Sequence, residues 1–166
     1  MKKLLAILLT CAMLLSLSLA PISATEATDP DQTTIDYSDY TEITSADQLF
    51  NETVLTGKYV LKNDLDMTGV NKRSLLSGGA ILDGNGHSLL NYSGANFFAL
   101  IGAATIRNLT MGTAEKPFEL TIGAIAKDDP PADVLWENIT LYATSTNKVV
   151  GCFLPNANGK HIFRNS

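Results

Sequence analysis

Apolar and polar residues alternate in short runs along most of the chain, and the alternation breaks at asparagine. Thr105–Met111 reads TIRNLTM and Leu135–Leu141 reads LWENITL. In both segments the apolar residues before and after the Asn must face the same side, although one extra residue separates them. Asn tolerates the left-handed backbone region, and its amide bonds neighbouring backbone. The pattern therefore predicts a short strand, an asparagine corner and a second short strand.

This unit recurs along the chain. The predicted corner residues are Asn63, Asn85, Asn108, Asn138 and Asn165, at steps of 22, 23, 30 and 27 residues. A repeat of roughly 20 to 50 residues built from short strands indicates a solenoid. Stacked coils bring equivalent positions into line, so we expect the amides of the last three asparagines to form a ladder.

A short helix is expected before the first coil. Ser45 is followed three residues later by Gln48, as in a capping box, and Asp47 suits a first helical turn. These signals predict a helix from about Ala46 to Asn51. Elsewhere the pattern predicts strands and turns.

The first 24 residues have the three parts of a secretory signal peptide. Met1-Lys2-Lys3 is a charged start, Leu4 to Leu19 is mostly apolar, and small residues precede a cleavage site after Ala24. A retained membrane anchor is the alternative, since the apolar run approaches spanning length. The organisation expected is a signal peptide over 1–24, a flexible acidic and Thr-rich leader over 25–41, and solenoid coils over 42–166.

Two segments of the chain resemble a known group of proteins. Gly57–Asp66 and Ile81–Leu89 resemble the N-terminal coils of secreted bacterial right-handed parallel β-helix proteins, which include pectate-lyase-like enzymes and adhesin-like surface proteins. The resemblance extends from about Ile43 to Ser166. It implies an all-β, right-handed parallel β-helix whose first coil is covered by a short helix. Because the sequence stops inside a corner, we expect either four or five coils of a longer protein or a last coil that a partner completes.

The charge and the cysteine content exclude some classes of function. The chain has 12 basic and 17 acidic residues, a formal net charge of −5, and removal of the signal peptide lowers this to −7. Too few basic residues remain to neutralise many phosphates, which excludes a nucleic-acid surface. One cysteine, Cys152, follows the signal peptide, so no internal disulfide is expected. It lies in an apolar run and is interpreted as buried packing.

His87 is the most obvious candidate for acid–base chemistry, since it follows Asp83 by four residues. The corner rule, however, assigns it the inward position of Leu109 and Ile139, which favours a hydrogen-bonded structural role. Calcium is the only metal suggested, by the pairs Asp64 with Asp66 and Asp128 with Asp129. Neither pair lies in a recognisable calcium loop, so no cofactor is expected.

No pair of stacked carboxylates emerges of the kind that glycoside hydrolysis needs. The outward positions before the corner carry Asp83, Lys62, Arg107, Glu137 and Arg164, and those after it carry Asp66, Ser88, Thr110 and Thr140. A lyase would need Arg107 as a base beside calcium ligands. The alternation of Asp83, Arg107, Glu137 and Arg164 is better explained as a surface ladder of opposite charges.

Two functions follow from these patterns. The first is a secreted or cell-surface module without catalytic activity, adhesin-like, that binds glycans or host-surface proteins. The second is the N-terminal part of a polysaccharide lyase or glycoside hydrolase whose active site lies in further coils. The missing acid–base cluster favours the first, and no membrane contact is expected after cleavage of the signal peptide.

Overall fold

A computed structural model describes residues 35–50, 54–100, 102–122, 124–128, 133–145 and 159–166. All of these except Ile35 belong to one compact unit, Asp36–Ser166. The predicted signal peptide, most of the predicted leader, Cys152 and Asp129 lie outside the described residues. The described end of the leader, from Asp36, is part of the compact unit.

The described residues form fourteen strands and one helix, joined by turns and loops. The helix α1 is Ala46–Leu49. The strands are β1 Thr41–Ile43, β2 Lys58–Leu61, β3 Leu65–Asp66, β4 Ser74–Leu76, β5 Ala80–Asp83, β6 Ser88–Leu90, β7 Ser93–Gly94, β8 Phe98–Leu100, β9 Ala104–Met111, β10 Phe118–Leu120, β11 Ala126–Asp128, β12 Val134–Leu141, β13 Ala143–Ser145 and β14 His161–Arg164.

Every strand pair is parallel, and the strands form three sheets. The long sheet follows the order β1-β2-β5-β9-β12-β14, with β3 and β6 pairing alongside and β6 also pairing with β9. The second sheet is β7-β10-β13, and the third is β4-β8-β11. Neighbours in each sheet come from successive passes of the chain, so the fold is a parallel β-solenoid of about three turns with one short helix.

The predicted solenoid is confirmed, and so is the alignment of its repeat. Thr105 pairs with Leu135 and Met111 with Leu141, over the two segments that the sequence pattern aligned. Leu135 in turn pairs with Ile162 in the last coil. The number of turns is smaller than the four or five expected, because the second and third sheets each have three strands among the described residues.

The core lies between the three sheets, and in the longest strands alternate residues fill it. In β9, Ala104, Ile106, Leu109 and Met111 are buried, and the residues between them are half-buried. The inward side switches phase at Asn108, as the asparagine corner predicts. Each Å² of apolar surface buried in this way contributes about 25 cal/mol to stability. This burial stabilises coils that have little helix or loop packing of their own.

Helix α1 lies at the N-terminal end of the core. The predicted capping box is present: the Gln48 side-chain Oε1 accepts hydrogen bonds from the amides of Thr44 at 2.7 Å and Ser45 at 3.0 Å. The helix brings Leu49, and Phe50 just after it, into the core cluster. The helix ends at Leu49, two residues before the predicted limit. Among the described residues, no helix has the length and apolar character needed to cross a membrane.

Candidate functional site

Four of the five predicted corner asparagines adopt the left-handed conformation. The φ angles are 51° at Asn85, 52° at Asn108 and Asn138, and 50° at Asn165. Asn63 is not among the described residues with positive φ; its side chain donates to the Asp64 carbonyl at 2.7 Å instead. Asn91, with φ of 59°, forms a further left-handed corner that the sequence reasoning missed. Its signal was an Asn directly after the apolar run of β6.

The corner amides form hydrogen bonds from coil to coil, and the series ends at a carboxylate. The Asn138 amide donates to Asn108 Oδ1 at 2.9 Å, and the Asn108 amide donates to Asp83 Oδ1 at 3.1 Å. Asn85 takes part only through its backbone N–H, which donates to the same Asp83 oxygen at 2.9 Å. The ladder therefore passes from Asn108 to Asp83 rather than to Asn85.

Gly84 permits this arrangement because the next coil approaches it closely. A Cβ at Gly84 would lie 2.3 Å from the Asn108 carbonyl oxygen and 2.7 Å from the Leu109 Cα. The Gly84 N–H donates to the Arg107 carbonyl at 2.8 Å. The glycine thus brings Asp83 and Asn108 within hydrogen-bond distance, and its φ is not the reason it is needed.

Asp83 is the centre of the most highly connected polar cluster. Its side chain is fully buried, although it projects from the outer side of the long sheet. Oδ2 accepts from Arg107 Nε at 2.6 Å and from the Tyr37 hydroxyl at 3.2 Å. Oδ1 accepts from Asn108 and from the Asn85 backbone. The expected surface ladder is therefore wrong at this rung, where the ion pair is covered.

The cover is the segment Asp36–Tyr40, which we call the tyrosine strap. The Tyr40 hydroxyl accepts from an Arg107 terminal nitrogen at 2.8 Å, and Tyr37 meets Tyr40 edge-on with ring centroids 5.1 Å apart. Lys58 pairs with Asp39 of the strap. The strap thus binds three neighbouring strands, β2, β5 and β9, on their outer side.

The geometry of the Asp83 cluster shows what it can do chemically. Each carboxylate oxygen already accepts two hydrogen bonds, so no lone pair of Asp83 is left to accept a substrate proton or to bind a metal ion. Burial, and after it the charge and hydrogen bond of Asp83, raise the pKa of Tyr37 to about 12, which keeps the phenol protonated as a donor. The cluster fastens the strap to the sheet and is not built as an acid–base site.

Two outward positions were assigned wrongly from the sequence. Val60, not Lys62, pairs with Asp83, because the strand of the first coil continues through buried Leu61 before it turns. Lys62 instead forms an ion pair with Glu42 at 3.0 Å. Asp66 pairs with Leu90, two residues beyond the position equivalent to Ser88.

The remaining candidate residues are dispersed. His87 is half-buried, and its Nδ1 lies 3.4 Å from Asp64 Oδ1, which also accepts from the Ser88 N–H at 2.8 Å. Asp66 accepts from the Asn91 amide at 2.9 Å and from Thr68, and these hydrogen bonds lower the pKa of Asp66. Within the described ranges, no group of three or more His, Cys, Asp or Glu residues is placed to hold a metal ion.

The outer face of the long sheet also carries a row of polar side chains beyond the corner. Ser88 pairs with Thr110, which pairs with Thr140, and Asp64 lies at the equivalent position one coil earlier. We call Asp64, Ser88, Thr110 and Thr140 the hydroxyl column. Neighbouring members are spaced by the strand separation, about 4.8 Å. Exposed Asn138 lies beside it, and Tyr142, 41% exposed, directly follows β12.

Comparisons of the chain with protein-family models, with curated proteins and with solved structures give no match. The architecture and the arrangement of side chains therefore carry the functional interpretation.

Proposed function

We propose that this chain is an exported, extracellular or cell-surface module that binds glycans and does not catalyse a reaction. The observation that carries the proposal is the hydroxyl column, three hydroxyls and one carboxylate in strand register on the outer face. Hydroxyl groups both donate and accept hydrogen bonds, which suits them to the hydroxyls of a sugar. Tyr142, the exposed aromatic residue that directly follows β12, offers an apolar surface with a polar tip.

The surroundings of the column support an extended, uncharged ligand. The column continues from coil to coil, so a chain of sugar units along the solenoid would meet a new hydroxyl at each strand. Thr140 is exposed and Thr110 half-buried, which leaves the C-terminal part of the column more open to a ligand. Asp83 and Arg107, which lie on the same outer face, are covered by the strap and already bonded to each other.

The test is a glycan-binding assay with the purified full chain and a matched pair of variants. The double variant Thr110→Val, Thr140→Val keeps side-chain shape and removes two hydroxyls of the column. Thr105→Val makes the same change on the same strand as Thr110, but in register with Ile81 and Leu135 rather than with other hydroxyls. We expect the parent chain to bind a neutral glycan. The affinity of the double variant for this glycan should be at least tenfold lower, and the affinity of Thr105→Val should equal that of the parent chain.

Three results would overturn the proposal. They are binding of no glycan above background, unchanged binding by the double variant, or appearance of shortened glycan products during incubation. The last result would instead indicate a polysaccharide-cleaving enzyme.

A further inference from the structure

The turn between β5 and β6 contains an asparagine that is followed by a glycine. The turn is closed by the His87 N–H, which donates to the Gly84 carbonyl at 2.8 Å. Its two central residues, Asn85 and Gly86, have φ angles of 51° and 79°. Asn-Gly is the pair that a two-residue turn with two positive φ angles favours. The fold therefore selects, at this place, two residues that can react with each other.

The reaction of an Asn-Gly pair needs only water. The glycine main-chain nitrogen gives up its proton and bonds to the asparagine Cγ, which a glycine hinders little because it has no Cβ. The bond from Cγ to the side-chain nitrogen breaks, ammonia leaves, and a cyclic imide remains. Water then adds to one of the two ring carbonyls and breaks its bond to the ring nitrogen. The product is aspartate or, when the main-chain carbonyl is attacked, isoaspartate. Asparagine is thermolabile through this chemistry.

The Asn85 side chain is open to solvent, but the nucleophile beside it is held. Asn85 and Gly86 are both exposed. The Gly86 N–H, however, donates to the Asn108 carbonyl of the next coil at 3.0 Å. The Asn85 N–H donates to Asp83 Oδ1 at 2.9 Å, so the main chain is bonded on both sides of the reacting carbon. The reaction therefore requires a local opening of the contact between the two coils.

The other left-handed corners lack this pairing of residues. Asn91, Asn108 and Asn138 have positive φ angles as well, but a tyrosine, a leucine and an isoleucine follow them, and these side chains hinder the attacking nitrogen. Among the described asparagines, Asn85 alone precedes a glycine. Asn158 also precedes a glycine and lies outside the described residues.

We propose that Asn85 is a site of spontaneous deamidation and that the contact between Gly86 and Asn108 sets the rate. While the second and third coils stay in contact, the Gly86 nitrogen keeps its proton bonded to the Asn108 carbonyl. Each opening of this contact frees the nitrogen to attack. The proposal rests on main-chain hydrogen bonds and does not depend on the proposed glycan binding.

The products weaken the contact that protected the site. Isoaspartate carries the main chain through its Cβ, which lengthens the turn by one carbon atom. Gly84 lies so close to the next coil that a Cβ on it would be 2.3 Å from the Asn108 carbonyl oxygen, so a longer turn does not fit without moving Asp83. Aspartate instead adds a second negative charge beside Asp83. Deamidation therefore marks chains whose coils have opened and makes further opening easier.

The first test compares the deamidation of the full chain in native buffer and in urea. Mass spectrometry of the peptide that contains Asn85 measures the rate, separately from the peptide that contains Asn158. We expect the native chain to react at least tenfold more slowly at Asn85. The protection of the Gly86 amide against hydrogen exchange in the same native buffer should be of similar size, because the same hydrogen bond has to open in both processes.

The second test uses two glycine-to-alanine variants. Gly84 and Gly57 are both absent from the glycines with positive φ, so alanine strains neither backbone for that reason. A Cβ at Gly84 displaces the carbonyl that holds Gly86, whereas a Cβ at Gly57 meets no atom closer than 3.6 Å. We expect native Gly84→Ala to deamidate at Asn85 at least tenfold faster than the parent chain, and Gly57→Ala to react as the parent does. In urea the three chains should react equally fast.

Three results would overturn the proposal. They are equal rates at Asn85 in the native and unfolded parent chain, slow native deamidation combined with free exchange of the Gly86 amide, or an unchanged native rate in folded Gly84→Ala. If Gly84→Ala does not fold, the comparison of deamidation with hydrogen exchange in the parent chain decides the question alone.

Discussion

The two ends of the solenoid differ in how far the core and the terminal strand are covered. At the N-terminal end, the first strand is bonded by Gln48, the core is reached by Leu49 and Phe50, and the outer side is covered by the tyrosine strap. At the C-terminal end, the described residues leave the inward Phe163 45% exposed. Within the described residues, the N-terminal end is therefore closed by this chain's own side chains, whereas the last strand keeps nearly half of its inward aromatic ring in contact with water.

The largest expected effect comes from removing Asp83 from the closed end. Asp83→Ala leaves the Arg107 guanidinium, the Tyr37 hydroxyl and the Asn108 amide without their acceptor. Breaking a buried ion pair on one side costs about 3–5 kcal/mol. We expect a loss of that size in the free energy of unfolding, measured by urea denaturation.

Glu137→Ala is the matched control for this substitution. Glu137 holds the same register two coils later, but its pair with Arg164 is exposed and 3.9 Å long. Exposed pairs contribute below about 1 kcal/mol, so the loss should be correspondingly small. Equal losses at the two positions would refute the contrast between the ends.

The inward register offers a second comparison between the ends. Leu82→Ala removes a side chain with no exposed surface, and a buried Leu-to-Ala change costs about 2–5 kcal/mol. Phe163→Ala removes more atoms, yet nearly half of that side chain is in contact with water. We expect about 1–2 kcal/mol for it by area. Chemical denaturation of the two variants side by side is the measurement, and a larger loss at Phe163 would contradict a half-covered C-terminal end.

Gln48 tests the closure of the first strand. Gln48→Ala removes the acceptor for the Thr44 and Ser45 amides and should cost about 1 kcal/mol, the value typical of a helix cap. Gln48→Glu keeps a side-chain acceptor at the same place and should retain most of the stability. Thermal unfolding separates the two variants, and equal melting temperatures would count against a role for the acceptor.

The closed end should also show a pH dependence of stability through the strap. Tyrosine ionises near pH 10 in the unfolded chain, whereas the pKa of Tyr37 in the folded chain is about 12. Between these values the unfolded state releases a proton that the folded state keeps, so stability falls as pH rises from 10 to 12. The hydrogen bond to Asp39 and the charge of that carboxylate raise the pKa of Lys58 as well. Tyr37→Phe should show a shallower fall in the midpoint of unfolding over this interval, and an unchanged slope would mean that the phenol is not held by Asp83.

Much of the fold could be predicted because it depends on local pattern. The asparagine breaks, the capping box at Ser45 and Gln48, and the equivalence of β9 with β12 are all visible in short stretches of sequence. The early coils were misaligned because their corners have different lengths. A shift of two residues moved Lys62 and Asp66 out of their true register while leaving them on the expected side.

The Asp83 cluster could not be predicted, since it joins segments that are distant in sequence. Tyr37 and Tyr40 precede the first coil and carry no periodicity, so they were interpreted as leader residues. The contact that buries Asp83 is made 46 residues away from it, by the Tyr37 hydroxyl. Gly84 was the one local signal in the sequence. The reason for a glycine there, a close contact with the Asn108 carbonyl, becomes visible only in the folded structure.

The amide ladder has a direction, and this restricts how such a chain can grow by duplication. Asn138 donates to Asn108, and Asn108 donates to a carboxylate that can only accept. A copied coil inserted beyond Asn138 would continue the series with the same kind of bond. A copy inserted across Asp83 would bury a second carboxylate, and it would need a second arginine and a second pair of phenols to balance it. Gene duplication would therefore lengthen this solenoid more readily on the Asn138 side than across the coil that contains Asp83.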